Sequence, residues 1–271
     1  MNKKKHALNH NLITGLIISS VIILLVMIGI FYTPCDPDAM DAANKFAGIS
    51  WQHIMGCDNF GRDIFSRILE GAGTTMFVAL GTVAIGAFFG TLIGALTGYY
   101  GGLFDEILMR FNDAVLAFPS ILLALVFISV MGSGKYNVMI ALGIVFIPSY
   151  ARIVRGEFMR CRSLDYVQSA HLMGASDFRI MFVHILPNIL PIMLSSLVIG
   201  FNNAVLAEAG MSFLGIGVQP PDSSLGRMLS EAQSFLFTSP LYAVFPGVMI
   251  VLMILGFALV SDGLKELSGG K

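Results

Sequence analysis

Asp58, Arg62, Asp63 and Arg67 stand close together in the segment 56–67, interleaved with Gly56 and Gly61. Acids and bases mixed on an amphipathic turn hold one another or hold a partner, so the segment reads either as a gate or docking contact or as an interfacial helix whose charges pair internally. Exposed pairs of that kind contribute only about 0–1 kcal/mol. A second polar patch, Asn202, Asn203 and Glu208, lies in an otherwise apolar run. A carboxylate at that depth in a membrane is costly and commonly functional. It reads either as part of a translocation path or as a structural hydrogen bond between subunits. The three cysteines, Cys35, Cys57 and Cys161, lack metal-ligand spacing and read as free thiols, with a Cys35–Cys57 bridge open if both lie outside the cell. His6 and His10 sit four apart on a basic tail, too near the terminus to make a metal site, and the 16 methionines read as packing in spans. No metal is expected. No G-x-x-x-x-G-K-[ST], H-E-x-x-H or G-x-S-x-G occurs, so the chain itself is not expected to hydrolyse anything.

A third feature is a basic, amphipathic island between apolar runs, residues 151–187. Tyr166, Ala170 and Met173 recur at helical spacing with Val167 beside them, which predicts a short helix with an apolar stripe. Gly174 suits the stop, where φ must be positive, and Ser176 can cap the next helix. Phe178, Met181, Phe182 and Ile185 form a second stripe ahead of Leu186-Pro187. The first helix has no obvious core of its own to cover it. From pattern alone it lies on anionic lipid, held by Arg155, Arg160 and Arg162, or enters a socket on a partner.

The elements that must position these residues are membrane spans. The 271-residue chain is 56% hydrophobic and 12% charged, against about 25% charged in soluble domains, and its mean hydropathy is +0.80. Net charge of −1 argues against nucleic acid as a partner. Six apolar runs approach the roughly 20 residues needed to cross a bilayer: near 12–32, 75–99, 117–133, 136–154, 186–213 and 240–261. The first is too long for a signal-peptide core and no small-x-small site follows it, so it reads as an uncleaved anchor. With both termini on one side, 11 Lys and Arg fall there, including Lys3, Lys4, Lys5 and Lys271, and 5 on the other. The positive-inside rule then places both termini and the island in the cytoplasm. Residues 1–74 form a tail, first span and extracytoplasmic segment, and 75–271 a core with a cytoplasmic loop at about 155–187. Gly86, Gly90, Gly94 and Gly98 make a stripe on the second span that admits another helix closely, either within this subunit or from a second one. Prolines 119, 148, 187, 191 and 246 imply a bent bundle.

The island is similar to the EAA loop of ABC importer permeases. Gln168-Ser169-Ala170-x-x-x-Gly174, nine residues, then His184-x-Leu186-Pro187 keep the family spacing, with Gln168, Ser169 and His184 replacing the usual Glu, Ala and Ile. Gly56-Cys57-Asp58-x-x-Gly61-Arg62-Asp63-x-x-Ser66-Arg67 resembles the GTD-x-x-GRD-x-x-SR signature of the second permease of dipeptide, oligopeptide and nickel importers, departing only at Cys57. Asp36-Pro37, the run 210–217, Pro220-Pro221 and Asp262-Gly263-Leu264 extend the resemblance over nearly the whole chain. It implies an all-α polytopic protein with six transmembrane helices and the type I importer permease fold, in the cytoplasmic membrane. It also implies a homologous second permease, two cytoplasmic ATPases that carry ATP and Mg, and an extracellular binding protein. Tyr166, Val167, Gln168, Ser169, Ala170, Met173, Gly174, Leu186 and Pro187 would form the coupling contact. Peptide import is expected, with nickel or a metal chelate as the alternative within the family. A secondary transporter or channel is the alternative of another class; it would show several buried charges or inverted repeats.

Overall fold

The computed structural model describes residues 10–267; Lys3, Lys4, Lys5, His6 and Lys271 lie outside that range. The described chain is helical, with a lone antiparallel bridge between Cys57 and Asp63. In order run α1 (His10–Phe31), α2 (Ile64–Tyr100), α3 (Gly102–Leu116), α4 (Ser120–Met131), α5 (Lys135–Arg162), α6 (Asp165–Leu172), α7 (Asp177–Arg179), α8 (Leu186–Phe213), α9 (Leu225–Ala232) and α10 (Leu241–Leu267). Among the described residues five helices are long and apolar enough to cross a membrane, or six if the bent pair α3–α4 is one span.

The helix bounds differ from the hydropathy reading in three places, each for a local reason. The second span, expected from 75, begins at Ile64, because the Asp63 side chain accepts a hydrogen bond from Ser66 N at 2.7 Å and caps the helix there. At 37 residues α2 is about 55 Å long, so the expected boundary at 74/75 falls inside it, with Glu70 in its second turn. The third span, expected over 117–133, is the 12-residue α4. It follows α3 at a 91° bend, because Pro119 cannot donate to the preceding turn and turns the chain before Ser120. The fourth, expected to end at 154, runs on to Arg162, so the first part of the island is an extension of α5.

The bundle is built on α2 and α5, and the glycine stripe joins them. A Cβ on Gly90 would stand 2.8 Å from Ile147 O and 3.0 Å from Ala151 N, and one on Gly98 2.6 Å from Arg155 O. The stripe therefore seats a helix of the same chain, and its van der Waals contact stands in for the hydrophobic drive that lipid removes. Pro148 lies inside α5 and has no N–H for the carbonyl four residues back, and Asn112 of α3 donates to the Pro148 carbonyl at 3.0 Å, tying α3 to α5. Helices α1 and α10 pair at the opposite flank: a Cβ on Gly15 would lie 2.6 Å from Val260 N and one on Gly256 2.9 Å from Ile18 Cγ2. One core joins α1, α2, α8, α9 and α10; another joins the end of α2 and α5 to α6 and the start of α8; a third holds α4 against α5.

Candidate coupling segment and ion-pair network

At the end of the bundle where α2 and α5 finish, the island folds as two short pieces around Gly174. Gly174 has φ +81°, its N–H donates to His171 O and Ala175 N donates to Ala170 O. This is the αL stop that the sequence asks for. Ser176 then caps α7, its side chain accepting from Arg179 N. The following Ile180–Ile185 is π-helical, with Leu186 N donating to Met181 O five residues back. Pro187 explains the slip: it has no N–H for the carbonyl four residues earlier, and π-turns recur at such breaks.

Helix α6 does have an intramolecular cover, contrary to the expectation from pattern. Val167 and Ala170 are buried and pack with Phe158, Cys161, Ile180 and Ile185. The chain that returns after Gly174 roofs them, a closure that helical spacing within one segment cannot reveal. Two ties fasten the segment to α2: Tyr99 Oη donates to Asp177 Oδ1 at 2.8 Å and Arg162 Nη1 to Tyr99 O at 2.8 Å. Of the expected contact residues, Tyr166, Gln168, Ser169, Met173, Gly174 and Pro187 face outward, whereas Val167 and Ala170 face in and Leu186 is half-buried. The small size of Ala170 therefore serves packing within the chain. The bare apolar tip is Leu172 and Met173, 90% and 82% exposed, with Phe178 beyond it in tilted ring contact with Phe182. Leu172 was missed because it falls off the stripe that the spacing defined. A Cβ on Gly174 would meet nothing in this chain within 4 Å.

At the other end, where α2 begins, three of the four charges, Asp58, Arg62 and Arg67, form a buried network in place of the exposed turn expected from sequence. Asp58 is fully buried. Its Oδ1 accepts from Phe60 N and Arg62 N, and its Oδ2 from Arg62 Nε at 2.7 Å and Arg67 Nη1 at 2.9 Å. Glu231 of α9 closes the far side, its Oε2 accepting from Arg62 Nη2 and Arg67 Nη1, both at 2.9 Å, and from Tyr242 Oη at 3.0 Å. Its Oε1 accepts from Arg227 Nε at 3.1 Å. Burial opposes the charge on Glu231, but Arg67 and Arg62 outweigh it and hold the carboxyl below its ordinary range. Gly61, at φ +79°, lets the loop turn tightly under the Asp41 carbonyl. Asp63 stands apart, as the cap of α2 and the partner of His53 Nδ1 at 2.9 Å. Sequence reasoning missed Glu231 and Tyr242, because nothing in the spacing links them to residues so far away in the chain.

The third patch divides. Asn203 lines a cavity of about 400 Å3 between α3–α4, α5 and α8, with Ser149, Tyr150, Ser196 and Gly200. Asn202 lies beside it, half-buried. Glu208 is not on this wall: it is fully buried and accepts from Ser212 Oγ at 2.6 Å, whose oxygen in turn accepts from Val218 N at 3.0 Å. It pins the end of α8 to the turn that follows. All three cysteines are free thiols.

Comparison with known proteins fits this architecture. Residues 90–269 match the family model described as binding-protein-dependent transport system inner membrane component. The chain is 38% identical over 254 residues to the dipeptide transport system permease protein of Alkalihalophilus pseudofirmus, covering 94% of this chain and 84% of the relative. It is 43% identical over 236 residues to the glutathione transport system permease protein of Pectobacterium atrosepticum, covering 83% and 77%. It is 36% identical over 264 residues to the dipeptide transport system permease protein of Haemophilus influenzae, covering 95% and 90%. An all-helical bundle with five or six spans and this match over most of its length make the chain a member of the family of ABC importer permeases, the inner membrane components of binding-protein-dependent transport systems.

Proposed function

We propose that this chain is one of two homologous permeases in an importer of small peptides, driven by two cytoplasmic ATPases and supplied by an extracellular binding protein. Peptide cargo is favoured by the named substrates of its relatives, dipeptides and glutathione. Both termini and α6 lie in the cytoplasm in this reading, with ATP and Mg on the ATPase subunits. The observation that carries it is the construction of the α6 segment. Its inner face is locked by Val167, Ala170 and two polar ties to α2, while Leu172 and Met173 project 90% and 82% exposed. A knob so held transmits displacement: motion of a socket around Met173 is passed to the ends of α2 and α5 and, through the π-turn, to α8. Loose, it would merely bend. The cavity beside Asn203 lies between the helices so moved and offers polar atoms suited to a peptide backbone.

The test is the assembled transporter in proteoliposomes with Met173→Asp or Gly174→Trp in this chain. Met173 is 82% exposed, so Met173→Asp is expected to leave insertion intact; Gly174→Trp has open space but strains the φ +81° turn, so its inserted amount is measured first and its rates are taken per inserted molecule. Uptake and binding-protein-stimulated ATP hydrolysis are expected to fall at least tenfold together while basal hydrolysis remains. Coupled uptake at the wild-type rate in both variants would defeat the reading.

A further inference from the structure

Away from the features already discussed, Cys35, His53 and Asp63 meet in front of the first turn of α2. Their donor atoms, Sγ, a ring nitrogen and a carboxylate oxygen, all lie within 4.8 Å of one another. We propose that these three residues form a binding site for a divalent transition-metal ion of the Zn2+ class, which clamps the segment before α2 to the α2 N-terminus.

Three observations support it. First, the donors are held in place. Ser66 organises two of them: its N–H donates to Asp63 Oδ2 at 2.7 Å and its Oγ accepts from Cys35 N at 3.0 Å. The backbone of His53 is fixed by donation to Ser50 Oγ at 3.0 Å and by acceptance from Gly56 N at 3.0 Å. Asp63 Oδ1 is thus left for the ion while Oδ2 keeps the helix cap. Second, the charge is unbalanced. Asp63 is 3% exposed, and where Asp58 faces two guanidinium groups, Asp63 has no Lys or Arg in an ion pair among the described residues and pairs only with the ring of His53. A divalent ion held by one thiolate, one carboxylate and a neutral imidazole makes a neutral site, which burial favours. Third, the donor chemistry is selective. Sulfur, nitrogen and oxygen together suit Zn2+ or Co2+ and disfavour Mg2+ and Ca2+. Cys35 and His53 are only partly covered, which leaves room for a water as fourth ligand.

Binding would insert the ion between His53 Nδ1 and Asp63 Oδ1, now 2.9 Å apart. The Nδ1 proton moves to Nε2, so the imidazole stays neutral, and Cys35 releases one proton to solvent as its sulfur bonds the ion. The three ligands come from three stretches of chain, the exit of α1, a loop and the α2 cap, which is why local spacing in the sequence gives no sign of the site.

The experiment uses the untagged full-length permease, reduced and stripped with chelator, titrated with Co2+ as the spectroscopic probe and with Zn2+ in competition. The proposal expects one ion per chain, a thiolate-to-cobalt charge-transfer band, and loss of that band in Cys35→Ser. Affinity should drop at least about tenfold in His53→Ala, and Cys161→Ser should bind like wild type. Asp63→Asn, which keeps a capping oxygen, should also weaken binding while the protein stays inserted. A band absent from the wild type, a band retained in Cys35→Ser, or a Cys35–Cys57 disulfide in the protein as isolated would each overturn it.

Discussion

Replacing Asp58 by Asn tests whether the buried ion network, and not surface pairing, holds the segment before α2. The substitution conserves shape, so no cavity opens. Oδ1 can still accept from Phe60 N and Arg62 N, but the Oδ2 position becomes an amide donor aimed at Arg62 Nε and Arg67 Nη1, formerly 2.7 and 2.9 Å from a carboxylate. Arg67 is 3% exposed and cannot turn to water. Removing one partner of such a buried pair costs about 3–5 kcal/mol. Glu231→Gln should cost less, about 1–3 kcal/mol, since both arginines keep Asp58 and the Glu231 side chain is 15% exposed. A suitable reporter is Cys57, beside the network and 2% exposed, in a background where Cys35 and Cys161 are Ser. Burial, then Asp63 and Asp58, push its thiol up to about 11, so labelling by a thiol dye at neutral pH is slow until the segment opens. The apparent midpoint of thermal labelling should fall by roughly 6–20 °C in Asp58→Asn and by a smaller amount in Glu231→Gln. Equal midpoints in wild type and Asp58→Asn would refute the reasoning, because they would mean that the network carries no more than an exposed pair.

Three further outcomes follow from the same structure. Because the native pKa of Glu231 is depressed below its ordinary 4.5, its contribution is complete above that value and is lost as pH falls through the native pKa; cleavage before α2 by an acid protease should therefore accelerate on acidification below about pH 4.5, less so in Glu231→Gln. Gly61→Ala should sharply reduce the amount of inserted protein on immunoblots, since φ +79° disfavours a side chain and the Asp41 carbonyl occupies the space for one, whereas Gly48→Ala, with nothing within 4 Å, should be silent. In α2, Gly90→Ala should lower the thermal midpoint by the equivalent of about 1–3 kcal/mol, because its Cβ would stand 2.8 Å from Ile147 O, while Gly73→Ala, with Val26 at 3.9 Å, should hold or raise it.

What could be read in advance was whatever one segment decides alone. Apolar length located most of the spans, a glycine in the stop position fixed the turn at Gly174, and Ser176 announced its cap. The even period of Gly86 to Gly98 showed that a backbone must come close, though only the fold shows that α5 supplies it. What was hidden depends on two segments meeting. Asp58 and Arg67 look like surface charges until Glu231 and Tyr242 arrive from α9 and α10. Val167 and Ala170 look available to a partner until Ile180 and Ile185 cover them. The start of α2 was misplaced because hydropathy averages over charged residues, whereas a helix begins where a side chain satisfies its free N–H groups, here at Asp63.

The pairing of α1 with α10 bears on how the protein is made. Among the described helices α1 leaves the ribosome before all the others, and its glycine notch at Gly15 is filled by α10, at Val260. Until α10 is made, α1 has α2 alone to lean on, through Gly29 against Leu69, and arrival of α10 fastens the other side like a clasp. A product truncated before Leu241 would keep that notch open to the bilayer, a ready mark for the proteases that clear unfinished membrane proteins.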